Sequence, residues 1–178
     1  LFLAVIVSAA FSPPARAQAL GPSAPGPVIR EFGPVFNIEA PEFVTPRGEY
    51  KVAFEVAQGA DSPEQQNRQI ESLARFLNMH ARAGVPREHL RLALVVHGTA
   101  GKDLLDHAGY RRRFGVDNPN YDMIQALGEF GVQVILCGQT QMSRGLARDQ
   151  LAPGVQVALS AMTALVSLQG QGYTLITF

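Results

Sequence analysis

Apolar and polar positions divide this chain into three unequal parts. The first, Leu1 to Phe11, reads LFLAVIVSAAF and carries no charge. It is too short for a bilayer span, which takes about 20 residues. It fits the apolar core of a secretory signal, roughly 7–15 residues long. Pro13, Pro14 and the small-x-small run Ala15-Arg16-Ala17 follow. The pattern predicts a signal peptide over residues 1–17, with cleavage before Gln18. A periplasmic location and no membrane span after cleavage are expected. The basic stretch that opens such a signal would precede Leu1.

The second part, residues 18–49, holds Pro22, Pro25, Pro27, Pro34, Pro41 and Pro46, with Gly21, Gly26, Gly33 and Gly48 between them. That density forbids a regular helix or a central strand. Yet Val28, Ile29, Phe32, Val35, Phe36, Ile38, Phe43 and Val44 are too apolar for a solvated linker. We read a Pro-rich extended arm. Residues 18–27 are expected to be disordered. Residues 28–46 are expected to lie against the domain or a neighbouring subunit.

Regular periodicity begins at Tyr50 and defines the third part, a domain over 50–178. YKVAFEVA (50–57) has the β-branched and aromatic content of a strand. Asp61-Ser62-Pro63-Glu64 reads as a helix start, and Ile70, Leu73, Ala74, Leu77 and Ala81 recur at helical spacing up to Gly84 and Pro86. LRLALVVH (90–97) is a strand whose apolar run suits burial on both faces. A turn at 98–101, a short helix over 102–107 and a polar loop over 109–118 are predicted next. A helix over 120–130 carries Met123, Ile124, Leu127 and Phe130 on one face, ended by Gly131. Then come a strand (132–138), a short helix (141–149), a turn at Pro153-Gly154, a strand (155–160), a helix (161–169) and a final strand (173–178). Strands and helices alternating with short connections predict an open, mainly parallel five-stranded sheet with helices on both faces. Ligand sites in such sheets lie beyond the carboxyl ends of the strands. The candidate regions are therefore 57–60, 97–101, 137–140 and 160–163.

Charge and composition narrow the chemistry. Lys+Arg and Asp+Glu are both 15, giving zero formal net charge. That balance argues against nucleic-acid binding, which shows a basic excess. One cysteine excludes an intrachain disulfide and a Cys-rich zinc site. No G-x-G-x-x-G follows a strand, so the dinucleotide fingerprint is absent. Gly98-Thr99-Ala100-Gly101-Lys102 resembles half a phosphate-binding loop. Val96 stands where its first glycine would be, and Asp103 where its hydroxyl residue would be. There is no G-x-S-x-G elbow. The histidines 80, 89, 97 and 107 form no i,i+4 pair. Neither a metal nor a cofactor is expected.

Cys137 remains. It ends a buried strand and precedes Gly138-Gln139-Thr140, so a helix start and free backbone N–H groups can lower its pKa. Gly138 leaves space for a substrate to approach. The same position also suits a buried small hydrophobe, since free cysteines are often buried. His97 ends the preceding strand; if those strands neighbour, it faces the same crevice and can ionise the thiol or return a proton. It also suits a structural role in the turn that follows. Cys137 and His97 are thus the candidate catalytic residues, with Gly98, Gly138, Gln139 and Thr140 as candidate substrate-binding residues. Arg111, Arg112 and Arg113 could gather an anionic substrate above the site, or form a solvated loop.

Several stretches carry a family resemblance: LALVVHG at 92–98, NPNYDMIQALGEFGVQVILCGQ at 118–139, LAPGVQVALSAMTAL at 151–165 and LQGQGYTLITF at 168–178. Together they resemble the DsrE/DsrF-like sulfur-carrier family, most closely its exported branch with a signal peptide. The resemblance implies a three-layer α/β/α fold and homo-oligomers, commonly trimers or hexamers. It also implies that the matching cysteine, Cys137, binds or relays sulfane sulfur as a persulfide between a donor and an acceptor protein. Two alternatives stand beside this reading. In one, the chain is a non-catalytic oligomeric module binding a ligand or partner, and Cys137 is core packing. In the other, Cys137 senses oxidation through an intermolecular disulfide near a symmetry axis.

Overall fold

The structure, a computed structural model, describes residues 23–39, 41–43 and 48–178. The expected signal peptide and its cleavage site lie outside the described residues. Five strands, β1 (Tyr50–Val56), β2 (Leu90–Val96), β3 (Gln133–Cys137), β4 (Gln156–Ala158) and β5 (Thr174–Ile176), form one sheet in the order β4-β3-β2-β1-β5. Every pairing is parallel. Five helices connect them: α1 (Arg68–Arg82), α2 (His107–Phe114), α3 (Tyr121–Phe130), α4 (Gly138–Ser143) and α5 (Ala161–Gly170). The result is the expected three-layer α/β/α arrangement.

The two faces of the sheet are unequal, and the inequality begins in the strand sequences. Alternation sends Val52, Phe54, Val56, Leu92, Leu94, Val96, Val134 and Leu136 to one face. There they meet Ile70, Leu73 and Leu77 of α1 and Met123, Ile124 and Leu127 of α3. The other face holds Ala53, Ala93, Val95, Ile135 and Cys137, covered by Ala161, Ala164 and Leu168 of α5. Fully burying one large aliphatic side chain contributes about 1.5–3 kcal/mol, so most of the stability resides on the first face. The second face is thin, and α5 approaches the sheet closely.

Several boundaries differ from expectation, each for a tertiary reason. Helix α1 starts not at Asp61–Glu64 but at Arg68, capped by Asn67, whose side chain accepts from the N–H groups of Gln69 and Ile70. Asn67 is buried and also binds the Gln58 carbonyl, the Asp103 carboxylate and the Asn120 side chain. That network outweighs the local capping signal upstream. Residues 109–118, read as a loop, contain most of α2. Asp106 caps it, Gly115 ends it at φ 78°, and buried Tyr110 anchors it beneath a solvated arginine face. Residues 98–104 form a 3-10 helix, replacing the turn and short helix. Helix α4 begins immediately after β3, earlier than the 141–149 expected. The last two strands are shorter than expected, as suits sheet edges.

The arm lies against its own domain. Its hub is Asn78 on α1, which is fully buried. The Asn78 carboxamide accepts from the N–H of Val28 (3.4 Å) and Ile29 (2.9 Å), and donates to the carbonyls of Ile29, Phe32 and Gly33 at 2.9–3.0 Å. Ala24 and Val35 exchange two backbone hydrogen bonds, each 3.0 Å. Residues 23–27, expected to be disordered, are therefore tied into the arm; the stretch 44–47 lies outside the described residues. Asn78→Ala leaves several buried backbone groups without partners. The expected cost is about 2 kcal/mol, limited because the arm can peel off and hydrate. Limited trypsin digestion checks this, since release exposes Arg30 to faster cleavage than in the wild type.

Candidate functional site

The path of the chain locates the site. After β1, β2 and β3 it turns toward the first face, where α1, α3 and, just past α4, Leu146 join the large core. After β4 it turns the other way into α5. The connections part between β3 and β4, and a crevice opens beyond the carboxyl ends of such a pair. Cys137 sits there, at the end of β3.

Cys137 is 6% exposed and directly precedes the first residue of α4. Burial pushes its thiol up. The N–H groups of Thr140 and Ala161, the Thr140 hydroxyl and the Gln139 N–H pull it down and outweigh burial. The thiol therefore ionises below its ordinary range, as a nucleophilic cysteine requires. These donors come from the first turns of two helices, α4 and α5. Helix α5 is capped by Ser160, whose hydroxyl accepts from the Thr163 N–H at 3.0 Å.

Gly138 makes this convergence possible. A Cβ there would sit 2.5 Å from the Ala158 carbonyl oxygen. The space beside Gly138 thus admits the end of β4 and holds no opening for substrate. Gln139 ties the two helix starts together, its side-chain amide donating to the Leu159 carbonyl at 3.2 Å. Thr140 is buried, and its hydroxyl oxygen accepts the Gly98 N–H at 3.1 Å. That leaves the hydroxyl proton for the thiolate. Gly98 has φ 58°, and a Cβ there would lie 2.5 Å from the Ala57 carbonyl. Its N–H serves Thr140.

His97 lies on the same sheet face. Its Nε2 stands 3.0 Å from Oε1 of Glu55 on β1. The β2–β3 register pairs Val96 with Leu136, so the next step brings His97 level with Cys137. Glu55 escaped the sequence reading; a carboxylate sharing a strand face with Ala53, on the way to the carboxyl end, was the available signal. The arginine run is elsewhere. It belongs to α2, where Arg111 pairs with Asp117 and Arg113 donates to the carbonyls of Arg144 and Gly145. No group of three metal-ligating side chains occurs among the described residues.

A groove of about 320 Å³ runs beside the site between β4 and α5, lined by Ile135, Ala158, Leu159 and Thr163 among others. Hollows of about 610 and 650 Å³ open between the arm and α3 and at the start of α1. Neither is lined by a cysteine, serine or histidine.

Parallel α/β topology with a stabilised thiol at the parting of the connections defines a thiol-bearing α/β protein. The sequence model of the DsrE/DsrF-like family matches residues 51–178, and the chain belongs to that family. Two solved structures share the fold. Protein MTH1491 of Methanobacterium thermoautotrophicum, of unknown function, is 22% identical, with a TM-score of 0.53 over 73% of this chain and 100% of that one. The ychN protein of E. coli is 20% identical, with a TM-score of 0.52 over 72% of this chain and 99% of that one. No match is found among curated proteins.

Thr140 offers a direct check on the thiol. Thr140→Val removes a hydroxyl bonded to the thiolate, an interaction worth about 1.5–3 kcal/mol when one partner is charged. The pH midpoint of iodoacetamide alkylation should move upward, and the rate at neutral pH should fall about tenfold or more. Thr140→Ser, which keeps the hydroxyl, should retain wild-type reactivity.

Proposed function

We propose that this protein is a sulfur carrier that accepts sulfane sulfur on Cys137 as a persulfide and passes it to an acceptor. One observation carries the reading: N–H groups from two helix starts, with the Thr140 hydroxyl, hold the only thiol of the chain at the crevice. Membership of the DsrE/DsrF-like family supports it. Sulfur enters when the Cys137 thiolate attacks the outer sulfur of a donor R–S–SH. A new S–S bond forms at Cys137 and the donor's S–S bond breaks. The donor leaves as a thiolate with the bond's electron pair, and the transferred sulfur keeps its oxidation level. An acceptor thiolate reverses these steps. Delivery uses the same donors, because the departing Cys137 again becomes a thiolate.

The apolar charge-free run over 1–11 and the Ala15-Arg16-Ala17 signal support secretion, and so a relay in the periplasm. The outer side of α5 supports self-association. This helix is apolar nearly all round. Ala161, Ala164 and Leu168 face the sheet, while Met162 and Val166, with Leu159 just before the helix, are 75%, 71% and 73% exposed. An apolar stripe of this kind calls for a covering surface.

Incubation with inorganic polysulfide followed by intact-mass measurement tests the carrier. The wild type should gain one or more sulfur atoms, removable by reductant, and Cys137→Ser should gain none. No gain, together with a thiol that resists alkylation until unfolding, would make Cys137 a packing residue and the protein a binding module. Assembly has its own check: Val166→Glu should lower the mass found by light scattering while leaving the circular dichroism spectrum unchanged.

A further inference from the structure

Three neighbouring parallel strands carry an acid, an imidazole and a thiol along one rim. Glu55 lies on β1, His97 directly follows β2, and Cys137 ends β3. Register and alternation place all three on the α5 face of the sheet. The Glu55 carboxylate only accepts hydrogen bonds, so the proton shared at 3.0 Å sits on His97 Nε2. That leaves Nδ1 as the basic nitrogen, and among the described residues it has no hydrogen-bond partner. Both Glu55 and His97 are half-buried. The surroundings supply no competing charge. Helix α5 and strand β5 contain no ionisable side chain, nor do α4 and the turn Gly98–Gly101. Lys51 and Arg91 share the face but sit toward the opposite end of their strands, both beside Glu49. Lys102 is engaged by Asp103, 2.9 Å away.

We infer that Glu55 and His97 form a carboxylate–imidazole pair that moves the proton of Cys137, with Glu55 as the positioning residue. The inference rests on the carrier reading and deepens it. Before Cys137 attacks R–S–SH, its thiol proton passes to His97 Nδ1, and the thiolate left behind is the attacking group. The donor's S–S electron pair leaves on R–S⁻, and His97 returns the proton to it. The balance is Cys137–SH plus R–S–SH giving Cys137–S–SH plus R–SH, with no oxidant or reductant consumed. Glu55 holds the tautomer that leaves Nδ1 free and steadies the imidazolium while it is charged.

Two measurements test this. The first follows the His97 ring protons by NMR across pH in the wild type, Cys137→Ser and Glu55→Gln. A pair that serves the thiol should give a ring-proton pH response in both variants that differs from the wild type's, because each changes a partner of the ring. Identical titration in wild type and Cys137→Ser would overturn the inference. The second compares the pH profiles of Cys137 alkylation and polysulfide loading. His97→Gln should lose the inflection due to the imidazole and load at least about tenfold more slowly, the lower part of what general acid–base catalysis supplies. Glu55→Gln should change that inflection, and Glu55→Asp should restore it in part. Profiles of His97→Gln that superimpose on wild type would equally overturn the inference. A wild type that never gains sulfur would remove the carrier reading, while the NMR titrations would still decide whether the pair serves the thiol.

Discussion

The carboxyl edge of this sheet depends on an unbroken parallel register across β1, β2 and β3. Tyr50 to Val56 pair one to one with Leu90 to Val96, and Ala93 to Val96 with Gln133 to Leu136. A slip of one residue in β3 would turn Cys137 into the crowded face and Leu136 onto the thin one. Packing forbids the slip. Leu136 fills a site among large side chains, whereas Cys137 fits among Ala53, Ala93, Ala161 and Ala164. The core therefore sets the geometry of the rim, and Cys137 and Ala161 of its thin face take part in the chemistry directly.

A buried thiolate is costly, and its stabilisation here is local. Cys137 lies in an apolar cluster, which alone would favour the neutral thiol. What reverses the balance is that β3 runs without a spacer into α4, and that β4 ends close enough for Ala161 to add its N–H. The second feature hinges on Gly138, the residue that lets the Ala158 carbonyl come near. A bulkier residue there would push β4 outward and separate the two helix starts. The glycine thus acts on the electrostatics of a neighbouring side chain through backbone distance alone.

How far this was legible in the sequence follows from the range of the forces involved. The strand order β-α-β and both buried strands, LRLALVV and QVILC, were readable because periodicity and β-branching are local. So was the placement of the candidate crevice, since parallel sheets open one beyond the carboxyl ends of their strands. The start of α1 was not readable. Asn67 wins as its cap through partners at Gln58, Asp103 and Asn120 that are remote in sequence. The polar run over α2 concealed a helix because its anchor is one residue, Tyr110, buried in a core assembled elsewhere. At the site, Cys137 and its flanking N–H groups could be named from position. Glu55 could not, because its meaning arises only once β1 lies beside β2 and a histidine from the next strand end reaches it.

The unequal faces divide the work of the molecule. Large side chains, the Asn78 hub and the polar network around Asn67 and Asp103 belong to the first face and its rim. Among the helices of the described residues, α5 alone closes the second face, over small residues that let it lie close. Helix α5 therefore acts in two directions. Its first turn supplies the Ala161 N–H to the thiol, while Met162 and Val166 stand exposed on its outer side. Any surface that settles on that outer side presses on the same short helix whose start stabilises Cys137. Because Ala161 packs directly against the cluster containing Cys137, even a small displacement of α5 changes the distance from its N–H to the sulfur. Hydrogen bonds to a charged sulfur weaken steeply with distance, so the placement of α5 and the ionisation of Cys137 are coupled by geometry.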